Sequence, residues 1–204
     1  MLVAACSSGT GASPAPSSPA SIAPSTAPSG EPSPAPSGAT PSGPVASASA
    51  APSEAAGPTL TQPWATATLT DVATGETFRI ADLATGGRTV FVEMMAIWCT
   101  NCRRQQGEFT DALGRLDPAR IAYVVLDVEP SETADQLAGY KDQQGFEGRY
   151  AIAGADVSRA LVDEFGPNAI NPPTVPKVVI GPDGSVSFET GAGSSDDIVA
   201  RVGG

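Results

Sequence analysis

Two cysteines two residues apart, in Trp98-Cys99-Thr100-Asn101-Cys102, are the residues of this chain best suited to chemistry. They follow a nearly continuous apolar run, Thr89 to Met95, which reads as a buried strand, and they open a segment of helical character, Cys99 to Leu116. A thiolate at a helix N-terminus meets unpaired backbone N–H groups and the positive end of the dipole. That lowers the pKa of Cys99 and makes it the attacking sulfur. Two intervening residues put Cys102 one turn along, where it can close a disulfide and resolve a mixed disulfide with a substrate. A zinc site needs about four ligands, and neither a second cysteine pair nor a histidine is present. Covalent haem attachment needs a histidine after the second cysteine, where this chain has Arg103. The remaining alternative is a purely structural disulfide, which across so short a loop would stabilise little. No cofactor and no metal is expected.

The composition removes other classes. With no histidine, neither a Ser-His-Asp nor a Cys-His catalytic arrangement can form, and histidine-dependent copper or haem sites are excluded. A formal net charge of -11 should repel nucleic acid and anionic headgroups, so no nucleic-acid partner is expected. Met94 and Met95 read as core packing rather than copper ligands.

The elements that would position the cysteines follow in order. Leu69 to Ile80 reads as a hairpin with its turn at Thr74-Gly75, and Ala81 to Leu83 as a helical turn. After the first strand and the cysteine helix come a second buried strand, Ile121 to Val128, and a helix, Glu132 to Gln144, with Ser131 as its expected cap. A short strand, Arg149 to Ala153, and a helix, Asp156 to Phe165, precede the Gly166-Pro167 stop. Lys177 to Ile180 and Val186 to Glu189 are strands joined by the Gly181–Ser185 turn, and Ser195 to Val202 is a last helix capped by Ser194 or Ser195. This order implies an α/β domain with a mixed sheet and helices on both faces.

The run Phe91-Val92-Glu93-Met94-Met95-Ala96-Ile97-Trp98-Cys99 resembles the strand that leads thioredoxin-like proteins into their active site. Thr174-Val175-Pro176, ahead of Lys177 to Ile180, resembles the same family's cis-proline signature. The resemblance spans about Leu69 to Val202 and implies the thioredoxin fold. Glu93, six residues before Cys99, stands where thioredoxin has its buried acid, and the resemblance implies a carboxyl with a raised pKa that shuttles the proton of Cys102. It implies a cis bond at Pro176 beside the disulfide, with Val175 offering backbone bonds to substrate. Trp98, Thr100 and Asn101 would complete the substrate surface. Pro176 lies 74 positions after Cys102, and this length with the early hairpin resembles the tethered TlpA/ResA-type branch. Where ResA-type proteins carry a Glu three residues after the second cysteine this chain has Gln105, and where a proline often kinks the helix it has Gly107.

The opening Val3-Ala4-Ala5-Cys6 resembles a bacterial lipobox, with Cys6 as lipidation site and residues 1–6 as a truncated signal. Residues 7–63, holding 13 of the 20 prolines and almost no large apolar side chains, read as a disordered linker. Residues 64–204 form the thioredoxin-like domain. The expected setting is therefore extracytoplasmic, tethered to the bacterial membrane by a lipid on Cys6. Partners would be protein thiols and disulfides and a membrane electron-donor protein, and the chain itself a monomer. Neutral Thr100 and Asn101 give the Cys99 thiolate little help, which favours a reductase; Arg103 and Arg104 push the other way. An oxidase that forms disulfides in secreted proteins, and a non-catalytic tethered module, stay open as alternatives.

Overall fold

The run Thr89–Met95 is rich in β-branched and large apolar residues, and every one of its seven residues is buried. In the computed structural model, which describes residues 59–203, this run is the central strand β3. The expected lipidation site, Cys6, and most of the expected linker lie outside the described residues.

The elements follow the chain as α1 (Pro63–Thr66), β1 (Leu69–Thr70), β2 (Thr77–Phe78), α2 (Ile80–Leu83), β3 (Thr89–Met95), α3 (Thr100–Leu113), β4 (Ile121–Asp127), α4 (Ala134–Gln144), β5 (Arg149–Ile152), α5 (Ala155–Phe165), β6 (Lys177–Ile180), β7 (Val186–Glu189) and α6 (Ser195–Gly203). Two short 3-10 turns, Pro167–Ile170 and Pro172–Thr174, link α5 to β6. The main sheet has the order β5-β4-β3-β6-β7. β3, β4 and β5 are parallel, because each crossover carries a helix; β6 runs antiparallel to β3, and β7 antiparallel to β6. β1 and β2 make a separate antiparallel ribbon, tied to β5 by a bond from Val72 N–H to the Tyr150 carbonyl.

Side chains of successive strand residues point to opposite faces, and this splits the core in two. One cluster joins Val90, Val92, Met94, Val124, Leu126, Val178 and Ile180 to Trp64, Ile80 and Leu161. The other joins Phe91, Met95, Tyr123, Val125, Tyr150 and Val179 to residues of α3, α4 and α6, and contains both cysteines. At Gly148 (φ 98°) an added Cβ would lie 2.8 Å from the Tyr123 ring, so only glycine lets β5 approach β4 there.

Two expectations need correction. α4 is capped by Thr133, not Ser131: Thr133 Oγ1 accepts from Gln136 N–H at 3.3 Å while Gln136 Oε1 accepts from Thr133 N–H at 2.8 Å. Ser131 is instead drawn to the Glu129 carboxylate, 2.9 Å away, so the helix starts later. The second concerns Pro176. All peptide bonds among the described residues are trans, including Val175–Pro176. The chain reverses here by other means: the Pro172–Thr174 turn is followed by Val175 in the left-handed region (φ 51°, ψ 60°), a rare conformation for a β-branched residue. The sequence also gives no warning of α1, whose Trp64 is fully buried with its indole N–H donating to Glu164 at 2.6 Å.

Candidate functional site: the Cys99–Cys102 pair

β3 ends at Met95, and Ala96–Trp98 turn the chain into α3. Cys99 is the N-cap, and its Sγ accepts from Cys102 N–H at 3.2 Å. The Cys99 sulfur thus occupies the place of a capping oxygen, where backbone N–H groups and the helix dipole favour negative charge. The two cysteines are joined in a disulfide with Cα atoms 5.3 Å apart. Cys102 is fully enclosed, while Cys99 keeps a trace of exposure and stands beside Trp98, which is 55% exposed.

The loop that approaches from β6 covers the pair. The Pro172 carbonyl lies 3.2 Å from Cys102 Sγ, so it can accept from that thiol once the disulfide is reduced. Asn101 Nδ2 donates to the Pro173 carbonyl at 3.1 Å. Val175 is buried and its N–H is taken by the Pro172 carbonyl, and Pro176 packs behind it with its carbonyl accepting from Met94 N–H. The structure therefore brings Asn101 and the 172–176 loop together over the disulfide, whereas the Val175 N–H is not free for a substrate. Thr100 is exposed in the first turn of α3.

Beneath the pair, Glu93 is completely buried on the same face of β3 as Phe91 and Met95. Burial pushes its carboxyl up to about 8, against the opposing pulls of Tyr123, Gln106 and Lys177. Tyr123 O–H donates to Glu93 Oε2 at 2.6 Å. Gln106, one turn after Cys102 on α3, accepts from Tyr140 O–H at 3.0 Å and from Tyr150 O–H at 3.2 Å. Lys177, the cross-strand neighbour of Glu93, donates to the Gly191 carbonyl and is lowered by its own burial. Gln105 is also buried, and its Oε1 accepts at 2.6 Å from the N–H of Gly193, two residues past Gly191, whose own N–H is held by the Thr174 carbonyl. A proton-holding carboxyl, a polar cluster and a capped thiol make an arrangement suited to thiol–disulfide exchange.

No protein-family model and no curated protein sequence matches the chain. Solved structures do. A thiol:disulfide interchange protein of the thioredoxin family from Chlorobium tepidum is 22% identical with a TM-score of 0.58, the match covering 67% of this chain and 90% of that one. The fold is that of thioredoxin. A secreted Mycobacterium tuberculosis disulfide oxidoreductase homologous to E. coli DsbE matches at 16% identity and TM-score 0.51, over 69% of this chain and 96% of its own. A thioredoxin-related protein from Neisseria meningitidis matches at 15% identity and TM-score 0.53, over 66% and 96%. On this thioredoxin fold the cysteine pair lies at the C-terminal end of the central strand, where the helix on it begins.

Sequence reasoning missed the segment after β4. Glu132 Oε2 accepts from Ile97 N–H at 2.8 Å, and Glu129 Oε2 accepts from the Trp98 indole at 3.2 Å. The bonds to Ser131 and Trp98 lower the Glu129 carboxyl. The signal was available: parallel strands end together, so the loop after β4 must lie beside the loop after β3.

Proposed function

We propose that this chain is an extracytoplasmic thiol–disulfide oxidoreductase that reduces protein disulfides through Cys99 and Cys102. The observation that carries the reading is the Cys99 sulfur serving as N-cap of α3 while bonded to Cys102. In the reduced protein the Cys99 thiolate attacks a substrate disulfide, forming a mixed disulfide and releasing the first substrate thiolate. Glu93, in its ionised form, takes the proton of Cys102, whose sulfur attacks Cys99 Sγ; the second substrate thiolate leaves, and the Cys99–Cys102 disulfide forms. The substrate has gained two electrons; one of its thiolates takes the Cys102 proton back from Glu93, the other takes a proton from solvent, and a membrane-associated dithiol donor restores the pair. Trp98, Thr100 and Asn101 form the substrate surface, with Val175 and Pro176 behind it as the support of the loop over the disulfide. Cys6 carries the lipid anchor, and residues 7–63 serve as the tether. The secreted mycobacterial protein of the same fold supports the extracytoplasmic setting, as does the resemblance of Val3–Cys6 to a lipobox. No helix among the described residues is long and apolar enough to cross a membrane.

The reduction potential of the pair, equilibrated against defined thiol buffers, tests the direction. A value near or below about −230 mV supports the reductase; one above about −180 mV makes the protein an oxidase. Cys102→Ser should trap a mixed disulfide with a substrate protein, and a variant that traps nothing would reduce the chain to a tethered binding module.

A further inference from the structure

Asp127 closes β4, level with Met95 at the end of β3, and its side chain is fully buried. Its Oδ1 accepts from Glu129 N–H at 2.9 Å, which shapes the loop that follows. Its Oδ2 has no donor among the described residues. The polar side chain that reaches it is the carboxyl of Glu132, another group without a hydrogen to give when ionised. A charge on the buried Asp127 carboxyl facing the partly exposed Glu132 carboxylate is unfavourable, and a single proton on Asp127 converts the clash into a hydrogen bond. Glu132 is also the residue that accepts from Ile97 N–H, two residues before Cys99.

We propose that Asp127 is a positioning residue for the reactive cysteine: as a buried proton donor to Glu132 it fixes the carboxylate that holds the Ile97 amide and so the approach of the chain to Cys99. The proposal rests on the reading of Cys99–Cys102 as an exchanging dithiol. The surroundings favour the protonated form. Burial, with Glu132 and Glu129 beside it, raises the Asp127 carboxyl to about 8, although the Glu129 N–H pulls the other way. The neighbouring strands contribute Met95 and Ile152, which do not titrate. From the helices, Tyr140 of α4 feels the charge of Glu132, and Arg103 of α3 lies over the Tyr140 ring. No lysine or arginine is among the groups acting on Asp127. Once Asp127 ionises, repulsion loosens Glu132 from Ile97, and negative charge builds up near the thiolate.

The test is the reaction rate of the reduced full chain, in a Cys6→Ser background, with a small aromatic disulfide between pH 6.5 and 9.5. Asp127→Asn keeps both hydrogen bonds, since its carbonyl still accepts from Glu129 and its amide still donates to Glu132, but it cannot ionise. The Asn variant should match the parent at pH 6.5 and exceed it by about five-fold at pH 9.5, the size of a modest misplacement of reacting groups. Asp127→Ala should be slower than both at pH 6.5, with its melting temperature recorded alongside. A ratio of Asn variant to parent that stays flat across the range overturns the proposal, as does an Asn variant as slow as the Ala variant at pH 6.5. A parent that does not react at all overturns the redox reading instead, and this inference falls with it.

Discussion

The two faces of the main sheet are built from the same strands and differ in almost every other respect. The face toward α1, α2 and α5 is apolar: Val90, Val92, Met94, Val124, Leu126, Val178 and Ile180 meet Trp64, Ile80 and Leu161, and the Trp64 indole reaches the surface to bond Glu164. The face toward α3, α4 and α6 carries Glu93, Lys177 and Asp127 on its strands and Gln105 and Gln106 on the covering helix, all buried. Four side-chain atoms on that face lack a hydrogen-bond partner among the described residues: Glu93 Oε1, Gln105 Nε2, Gln106 Nε2 and Asp127 Oδ2. Buried polar atoms of this kind cost stability. One face therefore stabilises the fold, and the other gives up stability to hold titratable groups under the cysteines.

The sharpest way to break this contrast is to damage the apolar face. Trp64→Ala removes a fully buried ring packed 5.7 Å from Phe165, together with its bond to Glu164. It should cost about 3–5 kcal/mol in denaturant unfolding. The reaction rate of Cys99 in the folded fraction should be unchanged. A rate that falls along with stability would mean the faces are not separable.

The next largest effect lies on the other face. On the proposed role of Glu93, Glu93→Gln should slow resolution of the mixed disulfide by about 10–100-fold at pH 7, read as accumulation of the trapped species. The same substitution should raise stability at neutral pH. In the folded chain the Glu93 carboxyl keeps its proton up to about 8, whereas unfolded it loses it near its ordinary value of 4.5. The folded state therefore binds more protons between these limits, and stability falls as pH rises through that window, by at most about 1.4 kcal/mol per pH unit from this one group. Asp127, raised from 3.8 to about 8, acts in the same direction. Unfolding of the oxidised protein from pH 5 to 8 should show the decline, shallower in the Gln variant. Equal slopes in parent and variant would remove Glu93 as a proton-holding group.

The contrast also explains what could be read in advance. The strands, the cysteine helix and their order were legible because apolar runs and alternation encode sheet and helix directly; Thr89–Met95 and Lys177–Ile180 hold to the residue. Glu93 stood out as one acid in an apolar strand, and its burial follows from that setting. The polar contacts around it were hidden, because they join residues far apart: Tyr123 reaches Glu93 from the next strand, and Glu132 reaches Ile97 from a loop. α1 escaped notice because it is only four residues long and opens with a proline amid small residues. The Val175–Pro176 bond departs from the family-based expectation because a left-handed Val175 already turns the chain.

The smallest effect belongs to Asn101, whose amide ties the first turn of α3 to the Pro173 carbonyl at 3.1 Å. The bond is exposed and neutral, so Asn101→Ala should cost about 0.5–1 kcal/mol. That is too little to shift global unfolding clearly, yet enough to free the loop locally. The amides of Thr174 and Val175, which bond back to the Asn171 and Pro172 carbonyls, should exchange about three- to five-fold faster in the variant. Amides of α5 and of the apolar face, remote from this tie, should keep their protection. Faster exchange spread across both faces would mean that the Asn101 bond supports the whole domain; faster exchange confined to 174–175 would show that the loop over the disulfide is held by local ties and can open without disturbing the stable face.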